Sequence, residues 1–454
     1  MRHDNRNAID FANEPVGKLF RQMLVPTLIG MVSIVILNLT DGAFVGHGAG
    51  ADALAAINIA APIFTILSGI GINFGIGGSV VASIYLSRGE TKPARINVTQ
   101  AFIGSIAVST ILSGIMLCSL KGTCRLFGSN EALLPLATSY LKWVAIGSPL
   151  MTLHMVGVFL IRLDGSPKYA MATSIVGTVL NIFLDWLFIF PFGWGLEGAA
   201  KATSFSFAIA GLMVVYYFVK MPKTLKLYRL RRTWKSFFLT LRNLGYQTRM
   251  GFSAMLGEIA VSGAEIAGNY VFIYYLGEVG VAAYSVVCYC FPVIFMMANA
   301  IVQSAQPIVS FAHGVDDRHR LKESFSLMMK WGTLAGLVCS ALIYFGAPYI
   351  AMLFLDTGEA AYPICAKGLS LFGTGVLFIT LNIVMIGYMQ SIEQSARATI
   401  GTLLRGFIIV IPSFIFLPAV VGEKGLWLAI PLAETLTFFI IIAIMRRVGN
   451  RISQ

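Results

Sequence analysis

From about residue 19 onward the chain is a succession of apolar runs, most of twenty residues or more, separated by short polar gaps. A helix rises ~1.5 Å per residue, so each run matches the ~30 Å hydrocarbon core of a bilayer. Twelve such spans can be read, at residues 19–46, 53–86, 96–120, 133–161, 169–190, 198–219, 245–276, 281–312, 324–345, 362–389, 398–418 and 425–445. Charged residues make up 12% of the chain, where a soluble domain carries roughly a quarter, so lipid has to act as its solvent. The expected fold class is an all-α membrane protein. The N-terminal stretch MRHDNRNAIDFANEPVGK shows neither a short apolar core nor a small-residue cleavage site, so the first span is expected to be retained. Pro26, Pro149, Pro292 and Pro412 fall inside spans, where each removes a backbone donor and permits a bend.

The 33 Lys and Arg outnumber the 21 Asp and Glu, but their placement argues against nucleic acid as a partner. They sit in alternate gaps between spans: twenty-four on the side holding both termini and the central loop, against Lys121, Arg125, Lys424 and arguably Lys201 on the other. The positive-inside rule then puts both termini and the central loop in the cytoplasm of a prokaryotic cell, with the chain in its inner membrane. The central loop, residues 220–243, carries eight basic residues and no acid. It reads first as a topology-setting linker near the lipid headgroups, and secondarily as an anionic-lipid or nucleic-acid patch.

Shifting the chain by 227 residues, half its length, aligns several features. Gly50 with its Ala-rich sequel falls on Gly277, Phe190-Pro191 on Leu417-Pro418, and Gly195 and Gly198 on Gly422 and Gly425. Six spans per repeat, with both termini on one side, make the repeats parallel and place their pseudo-twofold axis along the membrane normal. The expected organisation is an N-lobe at 1–219, a basic linker at 220–244 and a C-lobe at 245–454, around a central cleft suited to a substrate.

Signatures of enzymes are absent: no Walker A loop, HExxH, paired CxxC or GxSxG occurs, and no cofactor is expected. The glycine-rich stretch from Gly69 to Ser79 lies inside a span and reads as small residues for close helix packing. The six cysteines read as apolar packing thiols, with a Cys118–Cys124 disulfide as the minority reading. His154 reads as a polar packing residue. The informative residues are the ionisable ones inside spans: Asp41, Lys142, Asp185, Glu258, Glu265, Lys367, Arg405 and Glu434. Asp41, Asp185 and Thr203 each lie roughly 7–9 Å inside the outer boundary by the helical rise. Asn181 and Asp185 share one helix face. Two carboxylates, an amide and a hydroxyl can hold a hard cation such as Na⁺ through oxygens. They can equally share a proton, because two like charges in one apolar pocket do not both stay ionised. Glu258 and Glu265, two turns apart on the seventh span, are secondary candidates without an assignable partner. Lys142 and Lys367 are expected to snorkel, and Arg405 with Glu434 to form a structural ion pair.

Over nearly its full length the chain resembles the multidrug and toxic compound extrusion (MATE) transporters. The resemblance is carried by LVPTLIG with Asp41-Gly42 on the first span and GADALAAINIAAPI leading the second. LIRLDGSPK after the fourth, NIFLDWLFI on the fifth and GLEGAAKAT opening the sixth extend it. It implies two six-helix lobes and export of amphipathic, mostly cationic drugs or toxic metabolites, in antiport with H⁺ or Na⁺. It also implies an N-lobe cation site at Asp41, Asn181, Asp185 and Thr203 with Tyr140 nearby, a first helix that bends at Pro26, and action as a monomer. The tenth span lacks the acid carried by relatives with a C-lobe site, which leaves Glu258 and Glu265 without an assigned role. A lipid-linked precursor flippase of the same superfamily and a non-transporting membrane subunit are the competing readings. A flippase would be expected to show a more basic cavity.

Overall fold

A computed structural model describes residues 10–452, and all regular structure in them is helical. The helices are α1 (Val16–Ala49), α2 (Ala51–Ser87), α3 (Thr91–Cys118), the short α4 (Leu120–Leu126), α5 (Leu134–Leu163), α6 (Pro167–Ile189) and α7 (Gly195–Lys220). There follow α8 (Trp234–Gly314), α9 (Arg318–Met352), α10 (Ala361–Gly373), α11 (Val376–Ser391), α12 (Ser395–Leu403), a π-turn at Leu404–Ile408, α13 (Val410–Val421) and α14 (Glu423–Ile452).

The 81 residues of α8 would measure roughly 120 Å if straight, several bilayers' worth. Instead Gly277 adopts φ 64°, ψ −156°, and the chain folds back on itself. Tyr284 stacks on Phe272 at 4.4 Å and donates to Ala264 O, contacts impossible across twenty residues of straight helix. α8 therefore holds two spans. α10 and α11 form one span bent by 44°, where the sequence suggested a continuous helix. The bend follows Gly373-Thr374-Gly375, and side chains take up the carbonyls it frees: Ser340 Oγ donates to Gly373 O and Thr374 Oγ1 to Leu371 O. α12, the π-turn and α13 make another single span. The π-turn lies just before Pro412, whose missing N–H interrupts the regular ladder. With these joins the described residues provide twelve segments long and apolar enough to cross a bilayer.

The chain forms two compact units, one reaching to Met255 and including Pro307–Arg318, the other holding Leu256–Gln306 and the chain from His319 onward. In the first unit α5 is the most buried span and packs against α2, α3 and α7. Lipid gives helices no hydrophobic reason to associate, so close packing and polar contacts must do it. Ser148 on α5 pairs with Ser113 on α3, and Thr152 donates to Ser109 at 3.0 Å. The Gly69–Ser79 stretch acts as expected: Gly71 lies against Met155, Gly75 against Phe159, and Gly77 against the Gln247 backbone. His154 is buried against Thr173 and the Phe207 ring. Cys118 and Cys124 are free thiols.

After α7 the linker is tied down by Asp164. Its carboxylate accepts from the backbone N–H of Lys223, Thr224 and Leu225, each at 2.7 Å, and from Tyr217 Oη at 2.8 Å. Burial pushes the Lys223 ammonium below its ordinary value, with Asp164 acting against that, and Lys223 Nζ donates to Gly165 O.

In the second unit α14 is the hub, packing against α10, α11 and α13. The repeat is visible in local backbone. Gly50 and Gly277 both have positive φ between consecutive spans, as do Gly195 and Gly422 at the starts of α7 and α14. Only glycine takes that conformation without strain, which is why these residues coincide under the 227-residue shift.

Candidate functional site

The site grows from the packing of α1 on α6. Gly30 leaves room for Met171 and Ser174, and one turn on, Thr178 Oγ1 donates to Ser33 O at 3.1 Å. The two helices run in the same direction here, so the register continues and brings Asp41 beside Asp185. Asn181, one turn before Asp185 on the same face, is fully buried, as is Asp185. α7 supplies Thr203, whose Oγ1 accepts from Asn181 Nδ2 at 3.3 Å. α5 supplies Tyr140, buried and close enough to feel both carboxyls. The structure thus brings Asp41, Tyr140, Asn181, Asp185 and Thr203, drawn from four helices, to one place.

What is missing at this place is donors. The Asp41 and Asp185 carboxyls are close enough to interact directly. No N–H or O–H reaches Asp41 Oδ1, either oxygen of Asp185, or Asn181 Oδ1, all of them buried. A carboxylate left so is costly, and native proteins rarely tolerate it without a purpose. A proton held between the carboxyls, or a cation coordinated by several of these oxygens at once, would supply what the protein does not. Asn181 Nδ2 is already turned to Thr203, which leaves its carbonyl oxygen rather than its amide group without a partner. The donor set is all oxygen and suits a hard cation. Among the described residues no group of three or more His, Cys, Asp or Glu side chains is gathered, as a transition-metal site would need.

The other intramembrane charges fall elsewhere. Glu258 and Glu265 lie half-buried on α8 in the second unit, Glu265 near Tyr284 and Cys288. Arg405 and Glu434 form the expected buried ion pair, with Nη2 to Oε1 at 2.7 Å. Sequence reading missed its third member: Asn382 Nδ2 donates to Glu434 Oε2 at 2.7 Å and to Glu434 O at 2.8 Å. Nothing in the sequence marks Asn382, since an amide in an apolar run costs little to overlook. Asp164 was also passed over, although an acid in an Asp-Gly-Ser-Pro turn is a signal for backbone N–H capture. Lys142 and Lys367 are exposed, as snorkelling requires.

Comparison with known proteins agrees with this architecture. The chain is 24% identical over 451 residues to the multidrug export protein MepA of Staphylococcus saprophyticus, covering 98% of this chain and 96% of that protein. It superposes on a MOP superfamily transporter from Pyrococcus furiosus with a TM-score of 0.90 at 21% identity, covering 98% of both chains. An outward-facing multidrug resistance MATE family transporter gives a TM-score of 0.88 at 22% identity, again with 98% of both chains covered. The MatE family model matches residues 26–187 and 251–415, one stretch in each half. Twelve such segments in two repeats, full-length likeness to such transporters and a family match in both halves lead to one conclusion: this chain belongs to the MatE family.

Proposed function

We propose that the protein is a secondary active exporter of amphipathic, mostly cationic compounds, coupled to inward movement of H⁺ or Na⁺ by alternating access of two lobes. The lobes correspond to residues 1–219 and 245–454, joined by the basic linker 220–244, in one chain acting as a monomer. The Lys and Arg distribution supports an inner-membrane setting with both termini cytoplasmic. The export reading rests on the family and on the multidrug export relatives.

The coupling reading rests on one observation, the facing carboxyls of Asp41 and Asp185 with unpartnered oxygens. With neither ion bound, the pair carries charge that needs water, so α1 and α6 stay parted enough to admit it. Binding the ion removes that need. α1 can then settle on α6 along the small-residue seam of Gly30 and Ser33, and Pro26 lets its two halves move unequally. The resulting change in lobe volume releases the bound compound to the outside. The ion is thereby exchanged for the drug, with no enzyme chemistry.

The test is transport by the purified protein in liposomes under imposed Na⁺ or pH gradients. A cationic dye should be expelled only when one of the two gradients is present. Dye movement indifferent to both gradients, or scrambling of a lipid-linked precursor in the same vesicles, would refute the antiport reading.

A further inference from the structure

The first turns of α8 are amphipathic in the inverted sense. Their polar side faces the protein: Thr240 Oγ1 accepts from Gln100 Nε2 at 3.0 Å, and Asn243 Nδ2 donates to Gln100 Oε1 at 3.1 Å. One turn further, Gln247 Nε2 reaches Asn97 Oδ1 at 3.1 Å. The opposite side carries Trp234, Phe237, Phe238 and Leu241 at helical spacing, 78%, 51%, 62% and 49% exposed. Trp234 packs on both phenylalanines, so the rings form one outward surface. Water is a poor medium for that surface, and the protein's own polar contacts fix it outward. Arg229, Arg231, Arg232 and Lys235 stand exposed beside it, in a stretch that contains no acid.

Contacts with α3 fix its level in the membrane. α3 is roughly 42 Å long, the thickness of a bilayer with its headgroups, and Thr240 and Asn243 both meet Gln100, roughly 13 Å from its Thr91 end. The first turns of α8 therefore lie where headgroups give way to acyl chains. Arg95 Nε donates to Thr224 O at 2.7 Å and Tyr228 N–H to Thr99 Oγ1 at 2.8 Å, which fastens the preceding strand of linker to the end of α3. The basic cluster is thus held in place rather than loosely tethered. Aromatic rings at interfacial depth beside a fixed run of cations match a lipid with an apolar tail and an anionic headgroup.

We propose that residues 229–243 form a binding site for anionic phospholipid, with Trp234, Phe237, Phe238 and Leu241 in the acyl region and Arg229, Arg231, Arg232 and Lys235 on the headgroup phosphate. The site is separate from the carboxyl pair and does not depend on the ion-coupling reading.

The full chain in phosphatidylcholine nanodiscs containing a minor fraction of brominated lipid tests it. Trp234 fluorescence is isolated as the difference between wild type and Trp234→Phe. Brominated phosphatidylglycerol should reach a roughly fivefold higher effective concentration at Trp234 than brominated phosphatidylcholine, the factor expected from one engaged basic residue. The preference should vanish at ~1 M salt, where screening acts over ~3 Å. It should also vanish in the Arg229→Gln, Arg231→Gln, Arg232→Gln, Lys235→Gln variant. The salt arm uses wild-type protein, so it decides the matter even if that variant misfolds. Equal quenching by both lipids at low salt overturns the proposal. So does absence of quenching by either, with the aromatic face covered instead by a second copy of the chain.

Discussion

Asp185→Asn isolates the chemistry of the carboxyl pair from its shape. Asparagine fills the same space but replaces an acceptor lacking a donor with an NH₂ group that offers two N–H bonds. Asp41 Oδ1 and Asn181 Oδ1 are the unpartnered acceptors around it. A hydrogen bond to a charged group is worth about 1.5–3 kcal/mol net, and the variant also removes one of two facing like charges. The purified variant should therefore be more stable than wild type by about 2 kcal/mol, a rise of a few degrees in melting temperature. The same change removes the exchangeable charge, so gradient-driven dye efflux should fall to the level of empty liposomes. Any increment that the coupling ion adds to wild-type stability should disappear with it. Asp41→Asn should behave alike, and the double variant should be little worse than either, because residues acting as one unit are not additive. A variant that reached the membrane and exported at the wild-type rate with unchanged ion dependence would refute the assignment and move attention to Glu258 and Glu265. A less stable variant would refute the reasoning about missing donors.

In the second unit, Glu434→Gln should destabilise by about 3–5 kcal/mol, read as loss of melting temperature, because it strands the buried Arg405 guanidinium. Replacing both Arg405 and Glu434 with apolar residues of similar volume should cost far less. Asp164→Asn should loosen the linker, since an amide nitrogen now meets backbone N–H donors. Proteolysis or hydrogen exchange at residues 221–228 should rise markedly while insertion stays normal, and unchanged protection there would show that other contacts hold the linker. A single cysteine at Ser236, in a chain otherwise free of thiols, should resist an impermeant reagent added outside spheroplasts. Labelling from outside would overturn the topology.

The membrane fold was legible because its cause is local. A run such as residues 53–86 must be a helix in lipid whatever its neighbours are, and glycines such as Gly50 and Gly277 mark the reversals by a backbone conformation other residues avoid. The carboxyl site was half legible for a related reason. An acid inside an apolar run is costly enough to announce itself, so Asp41 and Asp185 stood out, and the four-residue spacing put Asn181 on the face of Asp185. What one dimension could not contain is the register of α1 on α6, set by Gly30 and Ser33 against Ser174 and Thr178. That register alone brings the two acids, 144 positions apart in the chain, to face each other without a donor between them. The same holds for the bend between α10 and α11, for Asn382 on Glu434, and for the linker drawn onto Asp164. In each, a polar group finds its partner from a distant segment, and burial rather than sequence spacing decides which partner it finds. Residue chemistry determined which groups must be satisfied, and tertiary packing decided by whom, leaving the Asp41–Asp185 pair without a donor.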